Sequence, residues 1–489
     1  MISCCSATPR PHNRGFEGHA DLRSLPVAII GGGPVGLAAA AHLLERGLEP
    51  VILEAGPSVG TAPLAWGHVP MFSPWRYNID RAAQALLERH GWTAPDADGF
   101  PTGRELADDY LVPLAALPEI AGRLRLNTRV TGVARQRVGK VRDAERGRQP
   151  FEVRFQADGR EGRLLARAVI VATGTWGSPS PAGASGMPAI GEREAADRIR
   201  HGMPDVLGAD HGRYAGKRVL VVGSGHSAVG TLLDLARLAE QVPGTVVLWA
   251  ARNADLTRAY GGGAADQLPE RGALGQRLRR LVASGAVELI APFAVDEIRR
   301  NAGGSLDVMS LEGRAVEVHE MVVATGLRPD LGILGEVRLD LDPALECPRV
   351  LAPLIDPNLH SCGTVRPHGA FELQQPDSGL FLAGMASYGR APTFLLATGH
   401  EQVRSIAAFL AGDLEAARRV ELDLPETGVC SSSRVPPGAA DADAVSSCCA
   451  PAAPLVACCS PRPEQELVKE TTCCGTNTAR ATAPAEPAK

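Results

Sequence analysis

Between its two ends this chain has almost no cysteine. Cys347 and Cys362 are the only two from residue 6 to residue 426, and no C-x-x-C or C-x4-C pair occurs there. Dithiol–disulfide exchange needs two such thiols side by side, so the body of the chain is excluded from it. Aromatic residues make up 4% of the chain, and of its basic residues only 4 are Lys against 46 Arg, scattered along the sequence at a net charge of −5. A nucleic-acid surface would need stacking rings or a basic stripe, and neither is present. No run of about 18 apolar residues appears, so no membrane span is expected. The opening stretch "MISCCSATPRPHNRGFEGHADLR" lacks the apolar segment of a secretory signal. A cytoplasmic protein is expected on both grounds, and thiols there stay reduced.

At 489 residues the chain is too long for one core, and two or three domains are expected. Composition changes near residue 426. From there to 489 the sequence is Ala, Pro, Ser and Cys with no apolar period, and residues 1–24 read similarly. Such segments bury too little surface to offset their ordering entropy, so both ends are expected to be disordered.

The body opens with "PVAIIGGGPVGLAAAAHLLERGLEPVILEAG". A short apolar strand runs into Gly31, Gly33 and Gly36 at G-x-G-x-x-G spacing. An Ala/Leu helix follows, then a second strand ending in Glu54. The first glycine allows a tight turn, the second admits a pyrophosphate to the backbone, and the third lets helix and strand pack. The helix N-terminus offers free N–H groups to phosphate, and Glu54 can accept ribose hydroxyls.

A second unit is "KRVLVVGSGHSAVGTLLDLARLAEQVPGTVVLWAARN". Gly223 and Gly225 hold the first two positions, and Ala228 replaces the third glycine. The strand that should end in an acid ends in Arg252, which suits a 2′-phosphate and so NADPH over NADH. Two such units about 190 residues apart point to a flavoprotein that also binds a nicotinamide.

Further segments fit that reading. An apolar strand enters Ala172-Thr173-Gly174, and another enters Ala324-Thr325-Gly326. Thr173, Gly174, Thr325 and Gly326 are expected at crossings between an outer domain and an inserted one. "GLFLAGMASYGRAPTFLLATGHEQVRS" reads as strand, glycine turn and helix, with Gly384, Arg390 and Thr393 placed toward the flavin. The helix dipole would stabilise negative charge there.

Paired dinucleotide motifs with both A-T-G segments resemble the two-dinucleotide-binding-domain flavoproteins, over residues 25–412. Within them "AGKRVLVVGSGHSA" resembles flavin-containing and Baeyer–Villiger-type monooxygenases. That resemblance implies FAD on the first unit, NADPH on the second, and oxygen activation at the reduced flavin. Two departures stand out. The F-x-G-x-x-x-H fingerprint is broken, with Ala195 and Asp197 before His201, and Met385 replaces the acid of disulfide reductases. "LECPRVLAPLIDPNLHSCGTVRPHGAFELQQPD" and the Cys-rich end resemble flavoprotein monooxygenase-like proteins of bacterial arsenic-resistance operons.

The expected architecture is α/β with two Rossmann-like, three-layer ββα domains. The FAD-binding domain is discontinuous, 25–190 and 320–425, and the NAD(P)H-binding domain, 191–319, is inserted. The expected function is an FAD-dependent NADPH oxidoreductase, a monooxygenase acting on a small soft substrate and linked to metalloid detoxification. Its alternatives are a reductase of a metalloid or quinone, or a soft-metal-binding protein on a flavin scaffold. Adjacent pairs Cys448–Cys449, Cys458–Cys459 and Cys473–Cys474 close into disulfides only with strain. As thiols they suit a soft ion such as arsenite. Smaller signals are open at this point. Cys347 and Cys362 form a thiol pair or are separate buried thiols. His68, His360 and His368 line a pocket or sit in the core, and Trp66 and Trp75 cover a flavin or simply pack. "AYGGGAADQLPERGALG" reads as a loop without a phosphate role.

Overall fold

The computed structural model describes residues 22–261, 269–359, 367–392 and 394–422. Two five-stranded parallel sheets organise them. The first contains β1 (Val27–Ile30), β2 (Pro50–Leu53), β3 (Leu124–Arg125), β7 (Ala168–Val171) and β16 (Leu380–Leu382), in the order β16-β7-β1-β2-β3. The second contains β8 (Ile199–His201), β9 (Arg218–Val222), β10 (Val246–Ala250), β11 (Glu288–Ile290) and β15 (Glu320–Val323), in the order β11-β10-β9-β15-β8. Each sheet is backed by a three-stranded antiparallel one. These are β4 (Thr128–Arg135), β5 (Phe151–Ala157) and β6 (Arg160–Ala166), and β12 (Val295–Arg300), β13 (Leu306–Ser310) and β14 (Ala315–Val318). The longer helices are α1 (Pro34–Glu45), α2 (Arg81–Arg89), α3 (His226–Gln241), α4 (Pro269–Ala283) and α5 (Leu396–Leu410).

The central strands are apolar at every position because both their faces are covered. Alternate residues go to opposite layers. Val27 and Ile29 pack with α1, α2 and α5, whereas Ala28 and Ile30 pack with Val133, Phe151 and Val153 of the antiparallel sheet. The second unit repeats the rule. Val219, Val221 and Trp249 face Leu232, Leu235 and Leu278 of α3 and α4, while Leu220, Val222 and Leu248 face Ile298, Leu306 and Val308. Helices, parallel sheet and antiparallel sheet thus form the expected three layers, twice.

The inserted domain is joined to the outer one by two segments that pair with each other. Ser180 N–H donates to Gly326 O at 2.9 Å and Arg328 N–H to Ser178 O at 2.9 Å. Thr325 Oγ1 donates to the Ser180 and Pro181 carbonyls, each at 2.9 Å. The sequence reading returned the chain to the outer domain at residue 320. In the structure Glu320–Val323 is β15, bonded between β9 and β8 of the inserted sheet. The return therefore falls after it, at the Ala324-Thr325-Gly326 crossing. Periodicity alone could not place this strand, since an apolar run fits either sheet.

One ionic cluster locks the outer domain's antiparallel sheet to its C-terminal part. Arg146 Nε and Nη2 each meet an Asp377 carboxylate oxygen at 2.7 Å, and Arg135 Nε lies 3.6 Å from the same group. Arg338 N–H donates to Asp377 Oδ2 at 2.7 Å. All three side chains of the ionic pairs are almost fully buried.

Candidate functional site

The three glycines of the first motif do different things. Gly31 has φ +111°, and a Cβ there would lie 2.5 Å from the Ala172 carbonyl oxygen. At Gly36 a Cβ would lie 1.9 Å from the Gly31 carbonyl oxygen. Both are glycine because backbone occupies the space of a side chain. Gly33 is the extended N-cap of α1, and a Cβ on it would meet nothing within 4 Å. The open space above it is the room a pyrophosphate needs. No side chain caps α1, so its first-turn N–H groups remain for an anion. Glu54 ends β2 with both oxygens fixed: Oε2 accepts from Gly32 N–H at 2.6 Å and Oε1 from Gly56 N–H at 2.7 Å. Each oxygen keeps a lone pair for a ribose hydroxyl.

The second cradle repeats this arrangement. Gly223 has φ +132°, and its Cβ would lie 2.3 Å from the Ala324 carbonyl oxygen. Each A-T-G segment thus supplies the carbonyl against which the first glycine of a motif turns. Thr173 and Gly174 follow β7, and Thr325 and Gly326 follow β15, both beside the first glycine of their unit. Gly225 is the uncapped N-cap of α3 with nothing within 4 Å of its would-be Cβ. Ala228 is fully buried against the sheet, where its methyl is accommodated. Trp249 Nε1 donates to Gly223 O at 2.7 Å and fixes the turn, a role that no motif signals. Arg252 follows β10 on the surface, with Nη1 donating to Ala184 O at 3.1 Å. Ala251 holds the place that Glu54 holds after β2, and Arg252 is the next residue.

The C-terminal segment closes on the first cradle. Gly384, at φ +66°, lets the chain approach Val35, whose Cγ2 would be 3.1 Å from a Cβ there. A Cβ on Gly399 of α5 would lie 2.6 Å from the same methyl group. Buried Gln402 holds the turn: its Oε1 accepts from Gly384 N–H at 2.7 Å and its Nε2 donates to Ser387 Oγ at 2.9 Å. A glutamine inside the polar run HEQVRS carried no signal for this. Arg390 is exposed and paired with Glu346 at 2.7 Å, so its guanidinium is committed to the surface. Thr393 lies outside the described residues.

Of the histidines, His368 is buried 2.8 Å from Gln402 Nε2 and belongs to the core. His68 instead lines a cleft of about 460 Å³ between the outer and inserted domains, with Arg104, Trp176, Arg200, His201 and Asp205. His201 ends β8, while Ala195 is buried and Asp197 is an exposed partner of Arg300. The broken fingerprint therefore still delivers its histidine to the interdomain cleft. Trp75 is buried and Trp66 packs against Gly103, so both are core residues.

Cys347 is fully buried, and burial with Asp342 nearby pushes its thiol up to about 12. It is not a nucleophile near neutral pH. Cys362, His360, residues 262–268 of the glycine-rich loop, and Cys448, Cys449, Cys458, Cys459, Cys473 and Cys474 lie outside the described residues. Among the described residues no group of three His, Cys, Asp or Glu side chains is placed to hold a metal ion, and no helix is long and apolar enough to cross a membrane.

The two cradles fit FAD at the first unit and a pyridine nucleotide at the second. Comparison with known proteins agrees with this geometry. The chain is similar to indole-3-pyruvate monooxygenase YUCCA1 of Oryza sativa subsp. japonica, 31% identical over 43% of this chain and 44% of that protein. It is also similar to flavin-containing monooxygenase 3 of Homo sapiens, 27% identical over 44% of this chain and 39% of that protein. The match thus spans less than half the length of these curated relatives. Among solved structures, bacillithiol disulfide reductase Bdr of Bacillus cereus shares the fold at TM-score 0.59 and 21% identity, covering 79% of this chain and 99% of that one. The cadaverine monooxygenase DfoA of Erwinia amylovora does so at TM-score 0.55 and 19% identity, covering 83% and 98%. The model of the family described as pyridine nucleotide-disulphide oxidoreductase matches residues 28–348, well over half of the sequence, and the chain belongs to that family.

Proposed function

We propose that this protein is an FAD-dependent oxidoreductase that draws on NADPH and works as a monooxygenase on a small, soft, electron-rich substrate. When bound, FAD would supply the redox chemistry, as hydride acceptor from the nicotinamide and electron donor to oxygen. The chain's own residues bind and orient. Gly33 leaves room for the FAD pyrophosphate, the α1 N-terminus receives it, and Glu54 holds the ribose. Gly225 and α3 do the same for the nicotinamide dinucleotide, with Arg252 at the strand end where a 2′-phosphate would lie. Substrate enters at the interdomain cleft lined by His68, Trp176 and His201.

One observation carries the choice of oxygen over a disulfide as acceptor. The body has no C-x-x-C or C-x4-C pair, and Cys347 is buried with its thiol pushed up to about 12, so no adjacent dithiol stands ready to pass electrons through. Similarity to two curated monooxygenases supports the same reading. The experiment is anaerobic addition of NADPH, followed by oxygen, watched by absorbance. Bleaching of the oxidised-flavin absorbance band and its recovery with oxygen are expected. Reduction without recovery would favour a reductase of quinones or metalloids, for which the broken His201 fingerprint speaks.

The metalloid link, the cytoplasmic setting and the role of the six paired C-terminal cysteines are part of this proposal. Thiol chemistry supports it: adjacent thiolates suit a soft trivalent ion. Truncation after Pro425 should preserve FAD content and NADPH oxidation while weakening arsenite binding. Equal arsenite affinity with and without those residues would reject the link.

A further inference from the structure

One aromatic contact ties the outer domain to the nucleotide cradle of the inserted one. The Phe72 ring lies 5.2 Å from the His226 imidazole, centroid to centroid, at an interplanar angle of 44°. That spacing is within the range at which aromatic pairs attract. His226 is the first residue of α3, directly after Gly225, so it borders the space left open for a phosphate. Phe72 belongs to the loop between the Thr61–Ala65 helix and α2.

That loop is held rigidly in its own domain. Met71 N–H donates to Pro101 O at 2.8 Å and Trp75 N–H to Gly99 O at 2.9 Å. Asn78 Nδ2 donates to Ser73 O at 2.8 Å. Trp75, three residues on, is buried. Phe72 is thus presented by a fixed platform and not by a loose tip. The charge of the same loop also reaches α3. Two turns along the helix, burial holds the Asp234 carboxyl above its usual range, opposed by Arg237 and by His68 of this loop. The outer domain thus touches the start of α3 through the Phe72 ring and acts on its middle through the charge of His68.

Resting on the reading of the two cradles as FAD and nicotinamide sites, we propose that Phe72 is a positioning residue for the pyridine nucleotide. Though it belongs to the FAD-binding domain, it seats the N-terminus of α3, and with it the nucleotide, at a fixed distance from the first cradle. Hydride transfer depends steeply on that distance. Removing the ring should leave the nucleotide's own contacts intact while spoiling its placement.

The test is stopped-flow reduction of the holoenzyme by NADPH without oxygen. Phe72→Ala should lower the limiting rate on the order of fivefold or more, the worth of one aromatic pair. The dissociation constant for NADP⁺ should change less than about twofold, and FAD content should be unchanged. Phe72→Tyr should recover most of the lost rate. The double variant with His226→Ala should be no slower than the slower single variant, because both remove one contact. Additive losses, an unchanged rate in Phe72→Ala, or loss of FAD from it would each overturn the proposal. A nucleotide-free arm separates this from failure of the functional reading. In Phe72→Cys/His226→Cys, diamide should close a cross-link in resting enzyme. Absence of the cross-link would overturn the contact itself. Formation of it in a protein whose wild type NADPH cannot reduce would overturn the functional reading, and Phe72's role with it.

Discussion

Substituting the three glycines of the first motif should separate fold from ligand binding within six residues of chain. At Gly36 an added methyl would stand 1.9 Å from the Gly31 carbonyl oxygen, when such contacts ordinarily exceed 3.0 Å. Both partners are backbone, so no rotamer can relieve the clash, and α1 must lift from β1. Overpacking of this kind costs about 1–3 kcal/mol, which lowers the melting temperature by roughly 2–12 °C in a domain of this size. Gly31→Ala should be at least as damaging, because a 2.5 Å clash adds to a φ of +111°. Gly33→Val has neither problem: its backbone is extended, and nothing lies within 4 Å. Losing glycine at an N-cap costs about 1 kcal/mol, but the branched side chain fills the pyrophosphate space. Thermal melts of the FAD-stripped proteins by circular dichroism should show Gly33→Val near wild type and Gly36→Ala well below it. Flavin absorbance relative to protein should show Gly33→Val colourless after reconstitution with FAD. A yellow, fully reconstituted Gly33→Val protein would refute the assignment of the cradle. So would a melting temperature as low as that of Gly36→Ala.

Arg252→Ala should raise KM for NADPH roughly tenfold, the worth of a charge-assisted phosphate contact of about 1.5 kcal/mol or more, and leave NADH little changed; equal losses in steady-state assays would show that it reads no phosphate. Asp377→Asn should destabilise the outer domain by about 3–5 kcal/mol in urea titration, because Arg146 and Arg135 would be left buried without their counter-charge. Burial raises the Asp377 carboxyl, but Arg146, the Arg338 N–H and Arg135 outweigh it and hold it below its usual range. Its stabilisation is therefore complete above the ordinary Asp value near 3.9 and lost as pH falls below it, so the wild type should show acid sensitivity that the variant lacks. His42 carries the opposite sign: burial lowers it, yet Asp80 at 2.9 Å and Glu45 raise it to about 9. The pair's contribution is whole below 6.5 and fades as pH rises toward 9, so His42→Gln should flatten the melting temperature across that window. A protein truncated after Pro425 should not reduce thioredoxin-like or glutathione-like disulfides with NADPH; measurable turnover would place a second thiol within reach of Cys347.

Sequence alone determined both dinucleotide units and their three-layer plan. Strands covered on both faces must be apolar at every position, and a glycine pressed against backbone tolerates no substitute, so both constraints are written locally and can be read locally. Gly31, Gly36 and Gly223 were legible for that reason, and Gly33, Glu54, Gly225 and Ala228 by their spacing from them. What lay beyond local reading was every decision that depends on a partner distant in the chain. Glu320–Val323 is apolar like any central strand, and only its pairing with β9 and β8 assigns it to the inserted domain. Arg390 reads as a ligand for a cofactor until Glu346, 44 residues earlier, is seen to hold it. Gln402 and Trp249 read as ordinary helix and strand residues, yet they fix the two turns on which the cradles depend. Phe72 and His226 are 154 positions apart and carry no shared motif; folding alone makes them neighbours. Hydrophobic period and glycine sterics act within a few residues, whereas charge pairing, buried hydrogen bonds and domain contacts are settled only when the chain has closed on itself.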